Sequence, residues 1–377
     1  MKIGVDLRAV SGKQLTGVGT YTLAVLEELL RQDKQNHYKL FCNSLADLPQ
    51  AVLDRFKNSN AEIYSFHYPS KLFNGALTFF RRPCLDKLIK GADLFWFPNL
   101  SFWSVSQSCR TIVTVHDLSF KKIPWAYSAK MRLWHQLVKP RQKLASAAKI
   151  IAVSNNTKRD LMDLYNLPKE KIEAVYPGLP EAEQSSANFQ AIKNKYNLPE
   201  KFILYLGTLE PRKNIEGIIA AYELLNRPDV DLVIAGGKGW LYRQIYRLAA
   251  KSPLKKQIHF INYIQPEDRF SLYRLAAALV WPSFYEGFGL PPLEAMASGV
   301  PVITSANSSL PEVVGQAALL VDPYNIAEIK EAMNQAINNP LLRAALIKKG
   351  QEQVKKYSWQ QTAKQMLKIF EQYENRH

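Results

Sequence analysis

The chain has 377 residues, 47% of them hydrophobic, with ordinary glycine and proline content; it is long enough for two cored domains and is neither fibrous nor disordered in composition. Its three cysteines, Cys42, Cys84 and Cys109, are too few and too scattered for a disulfide framework or a thiolate zinc site, and a reducing cytoplasm is the simplest setting. The formal net charge of +16 is lopsided: residues 1–180 hold 26 Lys and Arg against 14 Asp and Glu, and residues 181–377 hold 23 against 19.

The N-terminal MKIGVDLRAV is too short and too charged in its apolar run for a signal peptide, and Ile3, Val5 and Leu7 alternate as in a strand. A loop from Val10 to Gly19 ends in Thr16-Gly-Val-Gly19. Thr22, Val25, Leu26, Leu29 and Leu30 then predict an amphipathic helix from about Gly19 to Gln32. Strand, glycine loop and helix make half of a nucleotide-binding βαβ unit. Gly17 and Gly19 match the first two glycines of the dinucleotide fingerprint, but Thr22 stands where the third belongs. What survives is a tight turn whose backbone can come close to a bound group.

Further strands are predicted at 38–42, 61–65, 93–97, 111–115, 149–153 and 172–176, with helices at 128–148 and 155–165. The alternation implies a largely parallel sheet with helices on both faces. His116 and Asp117 follow the strand 111–115, where functional crevices of parallel sheets lie, and a histidine there suits proton or hydrogen-bond exchange. Between Leu118 and Arg159 there is no acidic residue, while ten Lys and Arg interleave with Trp125, Tyr127 and Trp134. This is either a solvated basic face or a surface that attracts an anionic membrane or substrate. Nucleic acid is disfavoured because no recognised motif accompanies the charge. No apolar run approaches the 18 or so residues of a membrane span.

Residues 177–190, rich in Pro, Gly and Ser, read as an interdomain linker. A second α/β series follows, with strands at 201–206, 231–235, 257–261, 278–281 and 300–304 and three terminal helices at 326–338, 341–355 and 359–373. Arg212 and Lys213 stand between the first of these strands and a helix, where a guanidinium fork and an ammonium suit a diphosphate. Asp229 and Asp231 have metal-binding DxD spacing but sit at the amino end of their strand, away from the other candidates, so no metal role is assigned to them.

The stretch Ser283–Gly299, SFYEGFGLPPLEAMASG, carries Glu286 on a loop and Glu294, expected in the first turn of a short helix begun by Pro291 and Pro292 and ended by Gly299. Gly287, Phe288, Gly289 and Leu290 form the turn between them, whose backbone N–H groups suit an anion. A carboxylate pair also occurs in glycosidases, but an anion-binding turn between the two argues for carboxylates that accept hydrogen bonds from sugar hydroxyls. GxSxG, HExxH and Walker-type motifs are absent from the sequence.

Taken together, FYEGFGLPPLEAMASGVPVI, GTLEPRKN, LVIAGGKG, TGVGTY and TVHDLSF resemble the retaining glycosyltransferases of family 4, from residue 1 to about 375. Within that family HDLSF and SNNTKRDL look most similar to mannosyltransferase-like bacterial members that build surface polysaccharides. The resemblance implies the α/β GT-B fold, two Rossmann-like domains facing across a cleft: an acceptor-side domain 1–180, a nucleotide-sugar domain 181–357, and a helix 358–377 crossing back to the first. It implies a nucleotide-diphosphate sugar, GDP-mannose as first choice, as co-substrate, with no catalytic metal or other cofactor. By motif, Arg212 and Lys213 hold the diphosphate. Glu294 holds the ribose, Glu286 the sugar, and the Phe288, Gly289 and Leu290 N–H groups the phosphate and sugar. Tyr263 and Ile264 flank the base, Gly17 and Gly19 approach the phosphates, and His116 lies beside the transferred sugar. The acceptor is expected to be a glycan or a lipid-linked glycan, at the cytoplasmic face of a membrane approached through residues 121–149. A sugar-nucleotide epimerase of the same architecture and a non-enzymatic basic binding protein are the rival readings.

Overall fold

The computed structural model describes residues 1–12, 15–57, 59–180 and 189–374; most of the expected linker, residues 181–188, lies outside the described residues. The chain divides into two compact units, Met1–Leu118 with Leu133–Gly178 and Tyr357–His377, and Ser119–Arg132 with Leu179–Lys356.

Unit 1 is built on β1 (Lys2–Asp6), β2 (His37–Asn43), β3 (Ala61–Phe66), β4 (Leu94–Phe97), β5 (Arg110–Val115), β6 (Lys149–Ala152) and β7 (Ile172–Ala174). They form one parallel sheet in the order β3-β2-β1-β4-β5-β6-β7. Unit 2 repeats the scheme with β8 (Phe202–Leu206), β9 (Asp231–Ala235), β10 (Ile258–Ile261), β11 (Ala278–Trp281), β12 (Val302–Ser305) and β13 (Leu319–Val321), ordered β10-β9-β8-β11-β12-β13 and again parallel. The central strands LFWF, FILYL and ALVW are buried at every position, as strands covered on both faces must be.

The first helix, α1 (Gly17–Gln32), starts two residues before its expected beginning because Thr16 caps it, its hydroxyl accepting from the Gly19 N–H at 3.3 Å. A short helix, α2 (Ser70–Gly75), has no counterpart in the sequence reading. The single helix expected over 128–148 is two, α3 (Ala129–Val138) and α4 (Pro140–Ser146). Pro140 cannot donate into a continuing helix and disfavours a helical residue before it, and Lys139 turns to φ +54°. Later helices include α5 (Asn155–Tyr165), α6 (Ile215–Leu225), α7 (Arg269–Leu275), α8 (Leu290–Ala297), α9 (Ile326–Asn338), α10 (Pro340–Val354) and α11 (Trp359–Glu371).

Helix α11 belongs to unit 1. Its Phe370 packs on Trp96, Thr362 Oγ1 donates to the Tyr176 carbonyl at 2.7 Å, and the chain beyond it places Tyr373 OH 3.0 Å from the Ala148 carbonyl. Ser119–Arg132 groups with unit 2, where Trp240 Nε1 donates to the Ala126 carbonyl at 2.6 Å and the Trp240 ring stacks on Tyr127. Among the described residues no helix is long and apolar enough to cross a membrane.

Candidate functional site

In unit 2 the strand order reverses between β8 and β11, and ligand crevices of open parallel sheets lie beyond the carboxyl ends of strands at such a point. The two loops that leave these strands carry the charged residues. After β8, Pro211–Lys213 forms a 3-10 turn and Asn214 takes φ +56°. The Asn214 amide donates to the carbonyls of Pro282 (3.1 Å) and Pro323 (2.7 Å), tying the start of α6 to the loop after β11. This fixes Arg212 and Lys213 against Glu286. Arg212 NH1 is 2.9 Å from Glu286 Oε2, and Lys213 Nζ is 2.6 Å from Oε1. Arg212 NH1 also donates to the Tyr285 carbonyl at 3.0 Å.

A fourth charge completes the group. Glu210 accepts from Arg212 Nε at 2.9 Å and is 3% exposed. Two cations thus face two carboxylates in a nearly dry site, the condition under which removing one partner is costly. The two carboxyls respond in opposite ways. Burial pushes the Glu210 carboxyl up, against the pull of Arg212 and Lys213. Burial pushes Glu286 up too, but the two cations overcome it and bring the carboxyl down to about 2. Glu286 is therefore the firm anion of the cluster.

The turn after Glu286 is held from β12. Ser308 Oγ accepts the Glu286 N–H at 3.0 Å, and Ser309 Oγ lies 2.9 Å from the Glu286 carbonyl and 3.0 Å from that of Phe288. Gly289 adopts φ +105°, and a Cβ there would meet Leu310 Cδ2 at 2.7 Å. Leu290 then opens α8, with Pro291 and Pro292 in its first turn and no side chain capping it. Gly299, at φ +73°, follows its end.

Glu294 lies in the second turn of α8 rather than the first, because the helix begins at Leu290. Its carboxylate is 2% exposed and is held by Arg269 NH1 at 2.8 Å and by Tyr273 OH at 2.9 Å, both from α7. The Glu294 charge holds the Arg269 guanidinium protonated against its burial. Glu286 and Glu294 have separate cations and do not form a coupled carboxylate pair. Tyr263 and Ile264 follow β10, two strands from β8; Ile264 is buried and Tyr263 half-buried. Asp229 is paired with Arg227 and Asp231 with His259. Among the described residues no group of three or more His, Cys, Asp or Glu is placed to hold a metal ion.

In unit 1 the order reverses between β1 and β4. A cavity of about 290 Å³ lies there, with Asp6, Arg8, Asn43, Asn99, Ser101 and Trp134 among its lining. Arg8 is spent internally. Its Nε and NH2 grip Asp6 at 2.9 and 2.7 Å, and NH2 also donates to the Phe102 carbonyl at 2.6 Å. His116, just past β5, donates its Nε2–H to the Pro98 carbonyl at 2.8 Å, since a carbonyl can only accept. Burial lowers its pKa against that bond and Asp117, which favours the neutral ring with its lone pair on Nδ1. Tyr21 of α1 meets the His116 ring edge-on at 4.8 Å and Trp359 of α11 at 5.8 Å. Gly17 and Gly19 sit in the first turn of α1. A Cβ at Gly19 would lie 2.9 Å from the Ala9 carbonyl oxygen, whereas one at Gly17 would meet nothing within 4 Å.

Several residues that build the site escape the sequence reading. Glu210 was visible within GTLEPRKN but carries no signal of pairing with Arg212. Arg269 and Tyr273, four apart on α7, look like ordinary helix residues. The polar run Asn307–Ser309 after β12 was a usable signal for a loop that straps its neighbour.

Two doubly wound sheets, one with an Arg–Lys pair and a glycine turn leading into a helix at its switch point, have the architecture of a GT-B glycosyltransferase. The chain belongs to glycosyltransferase family 4. The family described as "Glycosyltransferase Family 4" matches residues 15–183, and that described as "Glycosyl transferases group 1" matches residues 188–353. The chain is 30% identical over 366 residues to the O-antigen chain mannosyltransferase B of Escherichia coli, covering 94% of this chain and 96% of that one. Its fold is that of Anabaena Alr3699/HepE, solved in complex with UDP-glucose (TM-score 0.75, 14% identity, 99% of this chain and 100% of that one). It is also that of WaaG, a glycosyltransferase involved in lipopolysaccharide biosynthesis (TM-score 0.73, 15% identity, 97% and 99%).

Proposed function

We propose that this glycosyltransferase moves a hexose, mannose first, from a nucleotide-diphosphate sugar to a glycan or lipid-linked acceptor in surface polysaccharide synthesis, with retention of configuration. The convergence of Arg212 and Lys213 on Glu286 at the start of α8 carries this reading. A diphosphate brings the negative charge that these cations already meet in Glu286. On this reading the donor takes over one or both cations and leaves Glu286 to accept hydrogen bonds from the sugar. Glu294 takes the ribose, Tyr263 and Ile264 the base. The N–H groups of the Gly287–Leu290 turn take phosphate and sugar, and Gly17 and Gly19 admit the phosphates to the first turn of α1.

Breaking the bond from the anomeric carbon to phosphate builds negative charge on the leaving oxygen, where Arg212, Lys213 and the α8 start stabilise it. The acceptor hydroxyl attacks the face the diphosphate leaves, and its proton passes to the leaving phosphate oxygen. No protein nucleophile and no metal is required. His116, as a neutral imidazole, contacts the transferred sugar. The acceptor is assigned to unit 1, whose cavity offers amides, hydroxyls and Trp134 around an Arg8 already neutralised by Asp6. The 30%-identical relative, an O-antigen chain mannosyltransferase, supports mannose and O-antigen, and the UDP-glucose complex of the Anabaena protein supports a nucleotide-sugar donor. Placement at the cytoplasmic face of a membrane, with the basic stretch 121–149 toward anionic lipid, completes the reading.

A thermal-shift screen of GDP, UDP and ADP with their sugars tests it, because a ligand of the native state raises the melting temperature. GDP and GDP-mannose are expected to give the largest shifts. Absence of a shift with every nucleotide would overturn the donor assignment. Conversion of the donor to an isomer without acceptor would replace transfer by epimerisation.

A further inference from the structure

Leu72, Phe79 and Phe80, each more than 70% exposed, lie on the segment that begins with α2, outside the basic stretch 121–149, whose Leu133, Trp134 and Leu137 are less exposed. The helix runs on from Gly75 as a π-helical turn, Ala76–Phe80, and stops at Arg81, which adopts φ +54°. Single π-helical turns are uncommon and recur at functional sites. One side of this helix is anchored. Phe73 and Leu77, four residues apart, are buried, and the Phe73 ring stacks on Phe41 and Tyr68. The other side is also apolar but uncovered. Leu72 and Phe79, two turns apart, are 74% and 71% exposed, and Phe80 is 77% exposed. A soluble surface helix normally turns polar residues outward. Phe80 also lines an open groove with Ala76, Arg82, Pro83, Lys87 and Leu88.

The charges around these side chains have one sign. Lys71, Arg81, Arg82 and Lys87 are all exposed, and none is in an ion pair among the described residues. From Ile63 to Ala92 the one acidic residue is Asp86. Its carboxylate is turned inward, accepting the Ser106 N–H at 2.8 Å and the Ser106 hydroxyl at 2.6 Å. Asp86 therefore does not offset the cations on the surface.

We infer that the 70–83 segment docks unit 1 onto an anionic lipid bilayer, with Leu72, Phe79 and Phe80 entering the headgroup–acyl boundary and Lys71, Arg81, Arg82 and Lys87 facing the phosphates. Aromatic and leucine side chains ringed by cations are what an anionic interface retains. A second copy of this chain is a poor occupant, because a twofold contact would set the same cations against each other. The inference holds whatever the donor and acceptor prove to be, and it is distinct from the assignment of the 121–149 stretch to lipid.

Co-sedimentation of the full chain with phosphatidylcholine vesicles, and with phosphatidylcholine–phosphatidylglycerol vesicles, tests it. The wild type is expected to partition to the anionic vesicles. Phe79→Ser with Phe80→Ser, both exposed and so compatible with folding, is expected to lower that partition on the order of 10²-fold. Arg81→Glu with Arg82→Glu is expected to lower it on the order of 10-fold or more and to erase the preference for anionic lipid. Both variants should keep the wild-type melting temperature. Wild-type partition of the double serine variant overturns the inference. So does loss of binding in Lys121→Glu with Lys122→Glu alone, which would move the contact to the basic stretch. Concentration-dependent dimerisation abolished by the serine pair, without vesicle binding, overturns it in favour of self-association.

Discussion

Both sheets run parallel and both reverse their strand order once, beside β1 in unit 1 and beside β8 in unit 2, yet the two switch points carry different chemistry. In unit 2 two cations meet Glu286, and Glu210 lies beneath Arg212. In unit 1 the one cation among the described residues lining the cavity, Arg8, is committed to Asp6, Ser101 and the Phe102 carbonyl, amid asparagine, serine and aromatic side chains. The first arrangement suits an anion that can compete with a carboxylate. The second suits hydroxyl groups. A shared fold fixes where a ligand binds, and the loops decide which ligand it is.

The sharpest way to break this comparison is to remove a cation from each side. Arg212→Ala or Lys213→Ala should lower kcat/KM on the order of 10²-fold or more, the scale for a lost transition-state donor. Arg8→Ala should instead strand the buried Asp6 carboxylate, costing about 3–5 kcal/mol of stability, while the nucleotide affinity of the folded fraction stays put. Equal losses of nucleotide affinity in Arg212→Ala and Arg8→Ala would show that the two switch points are not specialised as described.

The pH dependence of stability separates the two carboxylates inside the unit 2 cluster. The Glu286 carboxyl is brought down from 4.5 to about 2, so its contribution is complete above 4.5 and is lost as pH falls from there toward about 2. That contribution is at most about 3 kcal/mol. Glu210 has the opposite sign. Its carboxyl is raised, so ionisation costs stability, and that cost is relieved as pH falls through its raised value. Glu286→Gln should therefore lower the melting temperature at neutral pH and flatten the acid limb below pH 4.5. Glu210→Gln, which sheds a charge that burial disfavours while its amide oxygen can still accept from Arg212 Nε, should lower it less than Glu286→Gln does and leave that limb in place. Urea unfolding between pH 7 and pH 3 reads both, and identical profiles for the two variants would remove the distinction.

What the sequence made legible follows from what its patterns encode. Apolar runs such as FILYL and ALVW mark central strands because both faces are buried, and parallel sheets follow from strand–helix alternation. The Arg212, Lys213 and Glu286 set was readable because all three sit in loops directly after such strands. Their mutual pairing was not, since 73 residues separate Lys213 from Glu286 and nothing local records the contact. Glu294 looked like an equal partner of Glu286, but its cation comes from Arg269, 25 residues upstream on α7. The break at Lys139 was available from Pro140, but hydrophobic periodicity across it hid the stop. No element was expected over 70–80, so neither its buried side, Phe73 and Leu77, nor its outward side, Leu72, Phe79 and Phe80, was legible.

The smallest expected effect concerns the glycines of α1, and it tests whether their unit has any part in holding the donor. Both lie in regular helical turns, so neither is needed for an unusual backbone angle. Gly19→Ala would drive a methyl to 2.9 Å from the Ala9 carbonyl oxygen, and should destabilise by about 1–3 kcal/mol through overpacking. Gly17→Ala meets nothing within 4 Å and should leave the protein as stable or up to about 1 kcal/mol more stable, because alanine is the better helix former. If a bound phosphate approaches Gly17, the methyl that costs no stability should still raise the donor KM several-fold. A Gly17→Ala enzyme with unchanged donor KM and unchanged kcat would mean that this glycine serves only the helix start, and that the donor is held by unit 2 without it.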